Sequence, residues 1–261
     1  MDTTTNASVT AAAPSVARLK VKIFADGADR DSMLEMNGKP IVQGLTTNPS
    51  LMRKAGVTDY VAFAHEVLAA IPKHPVSFEV FADEFPEMEA QALEIASWGK
   101  NVYVKLPVTN SKSASAMPLV QRLSKRGVQL NVTAVFTLEQ VEAITAALDA
   151  GTPAVISVFA GRIADTGVDP VPLMAEAKKI ARAKPKAELL WASPRELLNI
   201  FHADSAGCDI ITVSHDVLAK LGLVGKDLDE YSLETVNMFY KDASAAGYTI
   251  PAGMRRAARA G

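Results

Sequence analysis

The chain has 261 residues, 49% of them apolar and 21% charged, which supplies a sizeable core and too little charge for a disordered protein. With 27 basic residues against 29 acidic ones and no long basic run, neither nucleic acid nor a membrane is an expected partner, and a small molecule is left. The single cysteine, Cys208, rules out an intrachain disulfide, and four histidines form no Cys/His cluster at zinc spacing, so a reducing cytoplasm and a site free of metal are expected.

Residues 1–18 are rich in Thr, Ala and Ser and lack both a basic start and an unbroken apolar stretch, so they read as a disordered tail and not as a signal peptide. From Leu19 onward, short β-branched runs alternate with helical patterns, the signature of βα units around a parallel sheet. Eight runs qualify as strands: 20–26, 41–46, 76–82, 102–107, 128–134, 154–158, 188–192 and 209–213. Between them lie stretches with helical spacing, such as 60–71, 87–98, 138–148 and 171–183, each long enough for a crossover. Thr137 with Gln140 and Ser193 with Glu196 have the spacing of capping boxes, and Asp169-Pro170 puts proline at a first helical position. Further on, 232–246 carries Leu233, Val236, Phe239, Tyr240 and Ala243 at three-to-four spacing and predicts a last helix. No apolar run approaches the length of a membrane span.

The fold class that follows is α/β: a closed (β/α)8 TIM barrel over 19–225 with an additional C-terminal helix. That helix lies in an extension, 226–261, expected to pack on the barrel or on a neighbouring subunit of a homo-oligomer. An open doubly wound sheet is the rival, but "FADGADRD" after the first strand lacks its Gly-rich fingerprint.

Strand side chains alternate, so every second residue of a barrel strand points into the lumen. In "NVYVKLPVTN", Val102, Val104 and Leu106 make the outward set. That leaves Tyr103 and Lys105 inward, with Lys105 near the carboxyl end, where barrel active sites lie. Burying an unpaired ammonium is unfavourable and favours the neutral amine, a nucleophile. A lysine snorkelling at the strand end, or paired with a carboxylate, satisfies the same sequence. Parity also places Asp26 at the end of the first strand, Glu79 in "VSFEVFA", Asn131 and Thr133 in "LNVTAVF", Ser157 in "VISVFAGR", and Ser193 after "LLWA". Each has a structural explanation as well: Ser193 as a helix N-cap, Asp26 and Asn48 as turn residues, Thr133 as a core hydroxyl. A lysine, two carboxylates and two asparagines converging on one lumen form the candidate site.

The residues around these positions resemble a known family. "GLTTNPSLM" with Thr47 and Asn48, "VYVKLPVT" around Lys105, "LNVTAVF" around Asn131 and Thr133, and "ISVFAGRI" with Ser157, Phe159 and Arg162 are similar, in order, to the strand-end motifs of transaldolases. The resemblance runs from about 20 to 213, and the family includes the fructose-6-phosphate aldolases. It implies a cofactor-free class I mechanism that moves a dihydroxyacetone unit from a ketose or ketose phosphate to an aldehyde, in carbohydrate metabolism. Lys105 would form the imine, Asp26 would be the acid/base at the C4 hydroxyl, and Glu79 with Thr133 would hold a water for proton shuttling. Asn48 and Asn131 would hold the dihydroxyacetone hydroxyls, and Ser157 and Arg162 the phosphate.

Two features bear on which branch is implied. Glu79 and Phe159 stand where fructose-6-phosphate aldolases carry Gln and Tyr, which favours transfer over release. The serine after strand seven is followed in the family by Phe and then a cation, whereas here the run is Trp191-Ala192-Ser193-Pro194-Arg195, so Arg195 need not reach the phosphate. The alternatives are an aldolase releasing free dihydroxyacetone, or acting on a modified sugar, on the same lysine, and a non-catalytic sugar-binding barrel.

Overall fold

A computed structural model describes residues 14–250. Residues 15–222 form one compact unit, and the chain from Leu223 belongs to a second. In chain order the first unit holds β1 (Lys22–Asp26), α1 (Arg30–Asn37), β2 (Val42–Thr46), α2 (Pro49–Lys54), α3 (Tyr60–Ala70), β3 (Val76–Glu79), α4 (Phe85–Ser97) and β4 (Val102–Pro107). It continues with α5 (Met117–Lys125), β5 (Leu130–Val135), α6 (Leu138–Ala147), β6 (Ala154–Val158), α7 (Ala160–Ala164), α8 (Pro170–Ala181), β7 (Ala187–Trp191), α9 (Leu198–Ser205), β8 (Ile210–Ser214) and α10 (His215–Leu218). The eight strands pair in sequence order, all parallel, and β8 closes on β1, so the molecule is the expected (β/α)8 barrel followed by a C-terminal helix.

Helix starts follow the side-chain chemistry. Asp29, Asn48 and Asp59 accept from the backbone N–H three residues on, and Thr137 with Gln140 completes the expected capping box. Asp169 caps α8 with Pro170 in the first turn. The box expected at Ser193 and Glu196 does not form. Helix α9 starts only at Leu198, and Ser193 sits in the left-handed region at φ 62°.

The reason lies at the end of the neighbouring strand β6. A Cβ on Gly161 would come within 1.6 Å of the Ser193 carbonyl oxygen, and Gly161 N–H donates to the Ala192 carbonyl at 3.2 Å. The start of α7 is therefore pressed against the chain leaving β7, which holds Ser193 out of a helical turn.

Outward strand residues such as Ile23, Phe78, Val104 and Trp191 join the inner faces of the helices in one continuous apolar core. Inside the barrel a smaller cluster of Phe24, Val155, Leu190, Ala192 and Ile210 forms a plug. Gly44 makes room for it: the Phe24 ring lies 2.5 Å from where a Cβ on Gly44 would be. Strand β5 runs one residue beyond its expected end through a register shift between Val132 and Val135, with Ala134 at φ 59°.

The expected tail lies outside the described residues as far as Ala13, while Val16–Arg18 form a short 3-10 turn. In the second unit α11 (Leu228–Ala246) is capped by Asp227 and ended by Gly247 in the left-handed conformation. Residues 251–261 of the expected extension lie outside the described residues. No helix among the described residues is long and apolar enough to cross a membrane.

Candidate active site

A cavity of about 500 Å3 opens at the carboxyl ends of the strands. Register places its polar residues at one level. Glu79 of β3 pairs with Lys105 of β4, and Lys105 pairs with Asn131 of β5, so three inward side chains from adjacent strands meet as neighbours. Asp26 of β1 pairs with Thr46 of β2, the strand next to β3.

Lys105 is only 7% exposed. Of the two sequence alternatives for it, the paired state is present. Its Nζ lies 3.1 Å from Glu79 Oε2 and donates to the Thr47 carbonyl at 2.8 Å. A buried ammonium is tolerable on those terms. Glu79 is fixed in turn by Tyr60 of α3, whose hydroxyl accepts from the Glu79 N–H at 2.8 Å and donates to the Glu79 carbonyl at 2.9 Å. Burial pushes the Tyr60 phenol up, so it stays protonated for this clamp.

Asp26 faces opposing influences. Burial raises its pKa above the ordinary aspartate value, and the nearby Glu79 adds to this. The Lys105 ammonium and a 2.7 Å hydrogen bond from Thr46 Oγ1 act the other way without overcoming it. Thr46 Oγ1 is also 2.5 Å from Thr212 Oγ1 of β8. Since Thr46 has one hydroxyl proton and gives it to Asp26, Thr212 is the donor in that second contact.

The amides are positioned by the fold. Asn48 Oδ1 accepts the Leu51 N–H as the cap of α2, which commits its oxygen and leaves its NH2 without a partner among the described residues. Asn131 Nδ2 donates to Ser77 Oγ at 3.1 Å, and its Oδ1 accepts from Ser157 Oγ at 2.6 Å. One Asn131 N–H therefore remains for a ligand. Thr133, Ser157 and Ser193 line the cavity. Thr47 does not: it is fully buried, and its hydroxyl donates to the Ser77 carbonyl at 2.8 Å, so it ties β2 to β3.

At the rim, Phe159 and Arg162 both face the cavity, with the guanidinium 5.3 Å from the ring centroid. Arg195 is absent from the lining. Its Nε donates to Asp165 Oδ1 at 2.9 Å, its Nη2 pairs with Asp165 Oδ2, and its Nη1 donates to Ser193 Oγ at 3.2 Å. The guanidinium fork is thus already occupied by a carboxylate. The sequence reading missed Thr46, Ser77, Thr212 and Tyr60. The first three follow the same inward parity as their strand neighbours, whereas Tyr60 gives no signal.

Comparison with known proteins agrees with this geometry. Residues 23–250 match the family model described as transaldolase/fructose-6-phosphate aldolase, which extends the likeness past 213 and through α11. A probable transaldolase of Dehalococcoides mccartyi is 35% identical over 202 residues, covering 77% of this chain and 90% of that protein. One of Methanococcus maripaludis is 37% identical over 202 residues, covering 77% and 89%, and one of Brucella anthropi is 35% identical over 231 residues, covering 88% and 100%. A closed parallel barrel with a lysine–carboxylate pair at its carboxyl face, and a model match over most of the length, establish that the chain belongs to the transaldolase/fructose-6-phosphate aldolase family.

Proposed function

We propose that the chain is a transferase that moves a dihydroxyacetone unit from a ketose, or its phosphate, to an aldehyde through an imine on Lys105. The observation that carries this reading is the buried Lys105 ammonium held 3.1 Å from the Glu79 carboxylate, in the same cavity as a second carboxylate whose pKa is raised.

Glu79 takes a proton from Lys105, directly or through a water shared with Thr133, and frees the amine to attack the ketose C2 carbonyl. The carbinolamine loses water, with the proton returned by the same pair, and becomes a protonated imine. The Asp26 carboxylate then removes the C4 hydroxyl proton. The C3–C4 electrons flow into the imine, the aldehyde leaves, and an enamine remains on Lys105. Asn48 and Asn131 orient it by its hydroxyls until an acceptor aldehyde is attacked by C3. Protonated Asp26 quenches the new alkoxide, and water releases the product. The lysine itself supplies the electron sink, so the scheme calls for no further cofactor. Arg162 suits a phosphate at the rim, beside Ser157 and Ser193.

Borohydride added with a ketose should fix one sugar fragment to the peptide holding Lys105, read by intact mass and peptide mapping. Lys105→Ala should lose the adduct, and an adduct that persists in that variant refutes the assignment.

A further inference from the structure

A second cavity, of about 460 Å3, lies at the opposite, amino-terminal end of the barrel. The apolar plug of Phe24, Val155, Leu190 and Ile210 lies between it and the catalytic cavity. Three lysines line it from three different strand entrances: Lys22 at the start of β1, Lys73 before β3 and Lys100 before β4. Its one carboxylate, Glu188, is taken by Lys22 in an ion pair. Three ammonium groups against one carboxylate leave a surplus of two positive charges, on a chain whose formal net charge is -2. The Lys73 and Lys100 ammonium groups have no ion-pair or hydrogen-bond partner among the described residues. Two neutral donors lie deeper. The half-buried Tyr103 hydroxyl has no hydrogen-bond partner among the described residues, and Ser77 Oγ, which accepts from Asn131, keeps its own proton for another acceptor.

We propose that this vestibule is a second anion-binding site, for a phosphate group: inorganic phosphate or a small phosphate monoester. A local surplus of two positive charges matches a dianion, and a concave pocket between low-dielectric walls concentrates the field of its lysines. The volume admits a small molecule and excludes a duplex or a folded partner. The catalytic rim has Arg162 for a phosphate, so the two sites are on opposite faces and answer to different substitutions. Nothing in this inference depends on the imine mechanism.

The test is phosphate titration of the full chain at low ionic strength by calorimetry, with inorganic phosphate and glycerol 3-phosphate as probes. Wild type should show two classes of site, Arg162→Ala one, and Lys73→Ala/Lys100→Ala one. In the Arg162→Ala background, the double lysine substitution should weaken the remaining site by at least about tenfold. Turnover without added phosphate should be unchanged in the lysine variant, since neither side chain lines the catalytic cavity. Preference for the ester over the inorganic ion would identify a sugar phosphate as the occupant, and the reverse would identify free phosphate. A single class of site that disappears with Arg162→Ala, or a residual site indifferent to Lys73 and Lys100, overturns the proposal.

Discussion

Removing the hydroxyl of Thr46 tests how the catalytic carboxylate is tuned. In the proposed reaction Asp26 must be ionised to take the C4 proton, so activity should rise as pH rises through its pKa, and the acidic limb of kcat/KM should report that group in the free enzyme. Burial raises the Asp26 pKa above the ordinary aspartate value, and the Thr46 hydrogen bond opposes the move by stabilising the charged form. A hydrogen bond to a charged group contributes about 1.5 to 3 kcal/mol, and 1.36 kcal/mol corresponds to one pH unit. Thr46→Val should therefore shift the acidic limb upward by about one to two units. Thr46→Ser keeps the donor and should restore it. Thr212→Val removes the donor behind Thr46 but leaves Thr46 bonded to Asp26, so its shift should be smaller. Rate profiles from pH 4 to 9 on the four proteins decide the matter. An acidic limb in Thr46→Val that coincides with wild type would show that the Thr46 bond does not govern Asp26.

The same carboxylate carries a stability cost. Folded chain holds the Asp26 proton to higher pH than unfolded chain does, so the native state binds more protons between the two pKa values and stability falls as pH rises through them. Asp26→Asn should raise Tm at neutral pH, give no such gain below about pH 4, and abolish turnover; a lower Tm at pH 7 would count against the sign. At the rim, Arg162→Ala should reduce kcat/KM for the phosphorylated ketose by roughly ten- to a hundredfold, whereas Arg195→Ala should change it little because Asp165 already occupies that fork. A strong loss on Arg195→Ala would mean that this arginine leaves Asp165 for the substrate. With donor alone, free dihydroxyacetone should appear slowly and an acceptor aldehyde should accelerate turnover, while Phe159→Tyr should shift the balance towards release because a phenol can donate a proton. Equal rates with and without acceptor would favour the aldolase reading.

Alternation alone located Lys105, Asn131 and Ser157 in the lumen, because a barrel strand buries both faces and only the inward one tolerates polar groups at the carboxyl end. The same rule reaches Thr46 from Gly44 and Thr212 from Ile210, so their contact with Asp26 was implicit in the pattern although the register that joins β8 to β1 was not. What could not be read is tertiary. Tyr60 grips Glu79 from a helix 19 residues earlier, and Asp165 captures Arg195 from 30 residues away. Short helices such as α2, α7 and α10 have too few turns to show a period. Ser193 had every local mark of a cap, and a backbone contact from Gly161 overrode it.

That contact limits how this enzyme can change. The loops of such a barrel are ordinarily separate modules, each free to vary in length while the scaffold stays fixed. Here the segment after β6, which carries Arg162 in α7, leans through Gly161 on the backbone that carries Ser193, at a separation no side chain would fit. An insertion or deletion after β7 would move the arginine as well as the serine. The two loops are therefore a single unit of exchange: a graft that transplants one without the other would disrupt the anion end of the site, and substrate range should be redesigned by swapping them together.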